Sequence, residues 1–341
     1  MISVAGRSQY YVITLGNRRV SMLNELVESD FLKISRSPDF DHFRSIEEVG
    51  DTCSIPLHCR GFAASFALLR LKSCSVYLQR TFPRILQARY STAGALVYFP
   101  MDDAASFTLN GVEGSAHSLM LVRGNANCEI IEPRANLIGI VNFDNVEDRG
   151  WPCGADSAQL VTTQPARVEA LQAITREALK LASRSPAAFL QSGTVESVEE
   201  SLLQAVDLAM DAALPRSEGR RLSLSHYLAL VRKFDEFVAA NAGKTLYSAD
   251  VARQLGVSVR TLHNAVVAIR GMSMHRYMRL RRLWSVRQQL LRGAAPQSIK
   301  AVALVNGFWH MGEFTALYRE LFGETPQQTL SAARNNPNGQ S

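Results

Sequence analysis

One stretch of the basic C-terminal half carries side chains that could hydrogen-bond the edges of nucleic-acid bases. Leu262 and Val266 repeat at helical spacing and face a core, so Arg260, His263 and Asn264 face outward. Arginine can bond bidentately to guanine and asparagine to adenine, and each such pair contributes about 1–3 kcal/mol of discrimination. We therefore predict that these three side chains contact DNA bases, against the alternative that each is a solvated surface residue.

A second set of residues could bind phosphate. Ser248, Ser258 and Ser298 each stand at the start of a short helical pattern, where a serine caps the helix and backbone N–H groups can point at a phosphate. The other predicted phosphate contacts are Arg253, Thr261, Arg279, Arg281 and Lys300. Any one of them alone also fits a solvated surface, so their collective excess of charge is the stronger indication.

The charge is divided between two parts of the chain. Residues 1–215 hold 19 Lys and Arg against 24 Asp and Glu, whereas residues 216–330 hold 17 against 7, a net charge of +10. Opposite signs indicate two domains with different partners, and the basic part favours a polyanion. We expect a linker at 216–225, a DNA-binding domain at 226–330 and a tail at 331–341.

The basic half contains one helix-turn-helix pattern twice. Ala252 is small where two helices approach and Gly256 supplies the turn, and Ala303 and Gly307 repeat this pair at an offset of 51 residues. Matches continue at an offset of 52 for Leu262 with Phe314, Gly271 with Gly323, and Ser273 with Thr325. A basic helix from 275 to 291, roughly 25 Å long, joins the copies and could set two recognition helices about one DNA turn apart.

This region resembles the DNA-binding domain of AraC-type (arabinose-regulator family) transcription regulators. The motif that carries the resemblance is Ala303-x3-Gly307-Phe308 followed by Phe314-x3-Tyr318-Arg319-x2-Phe322-Gly323-x-Thr325-Pro326. Residues 307–312 are similar to the branch that contains the ethanolamine-utilisation regulator. The resemblance implies seven helices with two helix-turn-helix units, double-stranded DNA as partner, and often a β-rich effector and dimerisation domain in front.

The second unit departs from this expectation. The positions that correspond to the first recognition face are Met311, Gly312, Glu313 and Ala316, preceded by Trp309 and His310, and none of them is an Arg or Lys that could reach base edges. A glutamate can accept from cytosine N4 but cannot hold a phosphate. We predict that His310, Met311 and Glu313 contact bases and that this unit is the weaker reader. Its alternative roles are packing or contact with RNA polymerase, as in some family members. Trp309 fits either the core or a contact.

The first half predicts a β-rich region followed by a helical pair, so the fold class is α+β with several domains. Short apolar or alternating runs between residues 62 and 143 favour a sandwich or barrel, and Ala95 to Phe143 resembles a cupin-like effector domain, assigned to 1–160. A helical pair follows at 161–215. Its second helix, with Thr194 placed to cap it, carries the stripe Val195, Val198, Leu202, Ala205 and Ala209. That seam indicates either dimerisation or packing against its own domain.

Residues for catalysis or metal binding do not form a recognisable set. The five cysteines have no C-x2-C spacing, and His42, His58 and His117 are not the spaced ligands of a metal-binding cupin. A thiol site at Cys53 and Cys59 would lack a third orienting group. We therefore predict no enzyme, metal or cofactor, with a repair enzyme on the same module and a helical protein-binding module as alternatives.

The remaining expectations concern location and regulation. No apolar run reaches the ~18 residues of a membrane span, and the N-terminus lacks the apolar core of a secretory signal. The sequence thus predicts a cytoplasmic, homodimeric regulator without membrane contact, acting as an activator in response to a small organic effector that the sequence does not identify.

Overall fold

The computed structural model describes residues 22–40, 43, 50–146, 149–213, 219–241, 246–292 and 298–335. Within these ranges, an N-terminal β-rich region precedes a helical pair and a C-terminal group of seven helices. This order confirms the predicted α+β fold class.

The β-rich region begins with a short helix, α1 (Met22–Glu25), and its strands all pair antiparallel. The strands are β1 (Leu32–Ser37), β2 (Gly50–Pro56), β3 (Ala64–Arg70), β4 (Cys74–Arg80), β5 (Arg84–Pro100), β6 (Phe107–Leu109), β7 (Val112–Gly114), β8 (Ser118–Glu132), β9 (Leu137–Phe143) and β10 (Ser157–Thr162).

Two long strands, β5 and β8, pair along most of their length and connect the other strands. The first half of β5 also pairs with β2 and its second half with β9, while the first half of β8 pairs with β10 and its end with β6. Their register shifts between Thr92 and Ala95, which is a β-bulge that bends the pair. Residues 93–94 and 123–125 contain the turn-forming residues Gly94, Gly124 and Asn125, which suggest breaks between the short runs predicted from the sequence. In the structure they lie inside the long strands β5 and β8.

Alternate side chains of the sheet reach three different cores. One face around Tyr98 and Met120 packs on itself inside the β-rich region, and another around Val97 and Leu121 packs against the helical pair. A third group, which includes Ile85, joins the core of the C-terminal helices. Period-two alternation along β5 and β8 thus holds the β-rich region and both helical layers together.

The helices follow in chain order. They are α2 (Pro165–Arg184), a 3-10 helix (Pro186–Leu190), α3 (Thr194–Asp211), α4 (Gly219–Ala240), α5 (Ser248–Gln254), α6 (Val259–Arg270), α7 (Met274–Leu291), α8 (Ile299–Val305), α9 (Met311–Phe322) and α10 (Pro326–Asn335). The predicted seam of α3 packs inward, because Leu202, Ala205 and Ala209 are buried in the core shared with α2 and the sheet. Of the two readings of that seam, packing against its own domain is the one observed.

Several predicted boundaries differ from the structure. Residues 219–225 of the expected linker already belong to α4, and residues 331–335 of the expected tail belong to α10. Thr194 is the first residue of α3 instead of its cap, which is Gly193 with a left-handed backbone. Polar composition suggested loops at these places, yet a polar segment can continue a helix whose apolar face packs elsewhere. The rest of the predicted linker and tail lies outside the described residues.

A buried ionic network fixes the interior of the β-rich region at the end of β8. The Glu132 carboxylate accepts from Arg84 Nε at 2.7 Å, from Thr81 Oγ1 at 2.9 Å and from Tyr98 OH at 3.1 Å. Asn136 Nδ2 also donates to it at 3.0 Å. Arg84 and Glu132 are 3% and 0% exposed, so each charge depends on the other for compensation.

Replacing Glu132 with alanine should lower the free energy of unfolding by about 3–5 kcal/mol, because it leaves the Arg84 guanidinium buried without a counter-ion. Chemical denaturation followed by circular dichroism measures this change. The matched control is Glu177→Ala, which removes an exposed carboxylate paired with Lys180 and should change stability by less than about 0.5 kcal/mol. Equal effects of the two substitutions would contradict the assigned role of the network.

Candidate nucleic-acid interface

The duplicated pattern folds into two matching helix-turn-helix units. Helices α5 and α8 have 7 residues each, and α6 and α9 have 12 each. The turn glycines Gly256 and Gly307 have φ angles of +67° and +81°, which other residues rarely adopt. Equivalent backbone bonds close both turns, from Val257 N to the Ala252 carbonyl and, at the second unit, from Phe308 N to the Ala303 carbonyl.

Serine hydroxyls fix the start of three helices in this region. Ser258 Oγ accepts from Thr261 N at 3.0 Å at the start of α6, and Ser298 Oγ accepts from Ala301 N at 3.1 Å at the start of α8. Ser273 caps the connecting helix α7 in the same way. Ser248 was expected to cap α5, but it is the first helical residue, and Tyr247 holds the cap position without a side-chain bond. Ser248 therefore leaves its hydroxyl unused for capping.

The first recognition face is exposed. Arg260, His263 and Asn264 are all exposed on α6, while Leu262 and Val266 are fully buried beneath them. The outward position of the three side chains is thus as expected. Val267 completes the same face and is 41% exposed. Their contact with bases stays a prediction.

The second recognition face differs in chemistry. His310 is exposed and holds the cap position of α9, Met311 is half-buried against the core, and Glu313 is exposed in the first turn. Trp309 is 68% exposed, so it does not belong to the core. An exposed indole before a helix start presents a flat apolar surface to a partner.

The predicted phosphate contacts lie in different surroundings. Lys300 is exposed, and exposed Arg253 pairs with Asp250 at 3.1 Å. The Thr261 hydroxyl is 2.8 Å from Ser258 Oγ, and Arg281 is half-buried on α7. Arg279 lines a cavity between the β-rich region and α7. Arg279 therefore belongs to a different surface from the recognition faces.

Sequence reasoning missed the ionic cluster that joins the two halves of the protein. Arg270, the last residue of α6, is 1% exposed, and its Nη2 lies 2.8 Å from Glu129 Oε2 on β8 and also binds Asp235 of α4. The Tyr277 hydroxyl donates to Asp235 at 2.6 Å, and Gln87 Nε2 of β5 donates to it at 2.8 Å. No sequence spacing relates these residues, because they come from five separate elements.

Further contacts dock the β-rich region on the C-terminal helices. The hairpin between β6 and β7 turns at Gly111, where an added Cβ would lie 2.7 Å from the Ala268 carbonyl of α6. Cys59 N donates to the Leu321 carbonyl of α9 at 2.6 Å. Between these points, Trp284 Nε1 of α7 donates to the Pro56 carbonyl at 3.3 Å. The C-terminal ends of both recognition helices therefore contact the β-rich region.

Burial changes the acid–base properties of the cluster. Removal from water raises the pKa of Glu129 to about 8, although Arg270 and Arg232 lower it and Asp235 raises it further. The dominant cause is desolvation, which penalises the charged carboxylate more than one neighbouring guanidinium restores. A carboxylate that titrates near neutrality thus lies against the end of the first recognition helix.

Comparison with known proteins identifies the C-terminal region. Residues 251–332 match the family profile of a helix-turn-helix domain. A solved structure of "a probable AraC family transcriptional regulator" from Rhodopseudomonas palustris CGA009 is 34% identical, over 31% of this chain and 97% of that chain, with a TM-score of 0.29. The chain carries an AraC-type helix-turn-helix domain.

Curated relatives match through the same AraC-type domain. The "Probable thc operon regulatory protein" of Rhodococcus erythropolis is 33% identical over 102 residues, which are 30% of this chain and 31% of that protein. The "XylDLEGF operon transcriptional activator" of Pseudomonas putida is 34% identical over 96 residues, 28% of this chain and 30% of that protein. The chain spans about a third of the length of these relatives. The resemblance to the ethanolamine-utilisation branch stays a prediction.

Cysteines and possible metal ligands are the other groups in the described ranges that could carry chemistry. No disulfide joins the five cysteines, and burial raises the pKa of Cys74 and Cys128 to about 12. In those ranges no group of three His, Cys, Asp or Glu side chains is arranged to hold a metal ion, and no helix is long and apolar enough to cross a membrane. His42 lies outside the described residues.

Replacing Arg260 with alanine should relax base preference at one position of the bound site, with a loss of about 1–3 kcal/mol for the preferred base. Selection of duplexes from a random pool by the full chain measures it. Arg253→Ala is the contrast, because loss of a predicted phosphate contact should weaken all sequences alike and reduce the salt slope by about 1. An unchanged base preference in Arg260→Ala would remove its assigned role.

The raised pKa of Glu129 predicts a pH dependence of stability. The folded protein binds this proton more tightly than the unfolded chain, so the free energy of unfolding should fall as pH rises between about 5 and 8. Glu129→Gln removes the titrating group and should flatten this slope, as measured by denaturation at several pH values. A slope that is identical in both proteins would show that Glu129 titrates normally.

Proposed function

We propose that this protein is a sequence-specific DNA-binding transcription regulator that responds to a small-molecule effector. The observation that carries the proposal is the duplicated helix-turn-helix of the AraC-type domain, in which an exposed Arg260-x2-His263-Asn264 face stands on a rigid helix. Two such helices on one scaffold read adjacent major-groove segments, while the basic surface binds phosphates. The family consists of transcription regulators, and we propose no enzymatic activity.

The two recognition helices have unequal roles in this proposal. Helix α6 presents an arginine and an asparagine, the side chains suited to guanine and adenine edges, and reads bases. Helix α9 presents His310, Met311 and Glu313 beside exposed Trp309, and it contributes a weaker base preference or contacts RNA polymerase. Phosphate contacts from Ser258, Ser298 and Lys300 set the orientation on the duplex.

We further propose that the protein activates transcription, acts in the cytoplasm and forms a homodimer. Curated relatives that share the domain include an operon activator, which supports activation as the effect on transcription. DNA as the target implies the cytoplasm as the location. A homodimer would place two copies on one site, and exposed Leu190 and Leu208 beside the inward-facing seam of α3 offer an apolar surface for it.

The experiment is selection of bound duplexes from a random pool by the full chain at two salt concentrations. We expect a motif with two unequal half-sites about one helical turn apart, ~34 Å. Affinity should fall with a log–log slope of about −0.9 for each neutralised phosphate. Recovery of no motif together with salt-insensitive retention would contradict the proposal and favour a protein-binding role for the helical half.

A further inference from the structure

One large aromatic side chain of the second helix-turn-helix unit is exposed. Of the three tryptophans in the chain, Trp151 is buried and Trp284 is half-buried, whereas Trp309 is 68% exposed. Tryptophan carries a large apolar surface and is enriched where proteins contact a partner. The exposed indole therefore calls for a contact that the chain itself does not supply.

Trp309 has no counterpart in the first unit. The backbone bonds that close the two turns match Phe308 with Val257, at an offset of 51 residues. The cap positions of the recognition helices match His310 with Ser258, at an offset of 52. Trp309 lies between Phe308 and His310 and is the additional residue. It stands directly before the start of α9.

The neighbours of Trp309 determine its outward direction. Phe308 is 8% exposed, and its ring centroid lies 5.1 Å from that of Phe314 in the core. The guanidinium carbon of Arg282 lies 5.5 Å from the centroid of the same ring. On the other side, His310 has an extended backbone, in which successive side chains point to opposite sides. Because Phe308 is held inward, the indole points away from the core.

The face of α9 that follows this indole lacks long side chains. At an offset of 52 residues, Gly312 takes the place of Arg260, and Ala316 takes the place of Asn264. Both are exposed, and a Cβ added at Gly312 would meet nothing within 4 Å. The two positions that present the predicted base-reading side chains on α6 therefore present almost no side chain on α9. The space in front of this helix is open to a large neighbouring ring.

The charge of the domain favours DNA over a protein as the partner of this surface. Residues 216–330 carry a net charge of +10, and Lys300 and Arg319 of the second unit are exposed. A positive surface attracts a polyanion. The β-rich region bonds to α9 at Leu321, at the opposite end of the helix, and leaves Trp309 exposed.

The chemistry of the major groove indicates which base suits the indole. Thymine presents a C5 methyl group there, whereas guanine, adenine and cytosine present hydrogen-bond donors and acceptors at their edges. The face of an indole ring has no hydrogen-bonding atom of its own, since its one polar hydrogen lies at the ring edge. Contact between the ring face and a methyl group removes apolar surface of both partners from water.

We propose that Trp309 is a specificity-determining residue whose indole packs on the C5 methyl of a thymine in the half-site of the second unit. This assignment rests on the proposed function, because it requires the start of α9 to lie in the major groove. It gives the second unit a base preference without an arginine or lysine, and the preference is apolar rather than ionic.

The first experiment replaces thymines by uracil in a duplex that the full chain has selected from a random pool. Uracil keeps every hydrogen-bonding group of thymine and lacks only the methyl group. Each thymine is replaced in turn, and the affinity of the full chain is measured at one salt concentration. We expect a position at which uracil weakens binding about fourfold, which is the effect of one buried methyl group.

Variants assign this effect to the indole. Trp309→Ala should bind the thymine and uracil duplexes equally at that position, whereas Trp309→Phe keeps an apolar ring and should retain part of the difference. Tyr247→Ala is the matched control, because Tyr247 is 67% exposed before α5 of the first unit. The control should keep the full difference. Both alanine variants should melt at the temperature of the natural chain, since they change exposed side chains.

A methyl effect that persists undiminished in Trp309→Ala would overturn the proposal. So would a methyl effect that Tyr247→Ala removes to the same extent, because the loss would then not be particular to Trp309.

Quenching of tryptophan fluorescence by acrylamide gives a readout that does not depend on base preference. Trp309 is the exposed tryptophan, so it should account for most of the quenching in the free chain, and Trp309→Ala should lack this component. We expect the selected duplex to protect Trp309 from the quencher. Quenching that is unchanged by the duplex but reduced by RNA polymerase would overturn the proposal and favour a protein contact.

The two experiments separate this assignment from the proposed function. A recovered motif in which every thymine tolerates uracil would overturn the role of Trp309 and leave the proposed function in place. Failure of the full chain to select any motif would contradict the proposed function, and the role of Trp309 would be rejected with it.

Discussion

The pairing of one buried guanidinium, Arg270, determines how the two halves of this protein meet. A guanidinium that is withdrawn from water must find carboxylates, and here one comes from β8 and the other from α4. Its planar group also lies 4.7 Å from the ring of Tyr277, which fills the remaining face. Because Arg270 ends α6, the same contact that neutralises the charge fixes the orientation of the first recognition helix. At a helix C-terminus the positive charge is further stabilised by the helix dipole.

An apolar contact beside this ionic contact gives the interface its area. The contact includes three isoleucines of the sheet, whose side chains pack into the core of the AraC-type domain. They are Ile55, Ile85 and Ile131. Aromatic rings extend this contact. The ring centroid of Trp284 on α7 lies 4.8 Å from the centroid of Phe40 and 4.8 Å from that of Phe322. The ionic cluster therefore lies next to a continuous hydrophobic contact. Apolar burial favours association but does not select one orientation. The ionic contacts select the orientation in which the β-rich region and the AraC-type domain meet.

Local patterns in the sequence predicted the AraC-type domain well. The turns at Gly256 and Gly307 require a left-handed backbone, which favours glycine. The caps of Ser258 and Ser298 bond to backbone only three residues away. Each of these signals is therefore contained in a few neighbouring residues. Ser248 shows the limit of such local prediction. Serine is favoured at a helix cap, but here Tyr247 holds the cap position and Ser248 is the first residue of the helix. The sequence predicted that this region is rich in β-strands, but not where the strands begin and end. Strands β5 and β8 continue through residues that resemble turns, and a bulge between Thr92 and Ala95 accommodates the change of register. Non-local pairing determined those strands.

The interface could not be predicted for the same reason. Glu129, Asp235 and Arg270 lie on three elements far apart in the chain, and each alone resembles an ordinary surface charge. The exposure of Arg260, His263 and Asn264 could be predicted, since it follows from the period of an amphipathic helix, whereas their contact with bases stays a prediction. Long-range pairs of charges leave no periodic trace in a single sequence, so only the folded chain brings them together.

The docked arrangement leaves uncovered the ends of α6 and α9 that carry the predicted base contacts. The β-rich region contacts α6 at Ala268 and Arg270 and α9 at Leu321, all in the last turns, whereas Arg260 and His310 at the opposite ends are exposed. Docking therefore does not block these side chains directly. Its consequence concerns geometry, because the β-rich region contacts both helices near their C-terminal ends. If the chain binds DNA as proposed, a duplex whose half-sites match the separation of the two helices needs no deformation, whereas another spacing requires bending of the DNA or release of the interface. Under the proposed function, the docked arrangement therefore restricts the spacing of half-sites and leaves access to the predicted contact residues open.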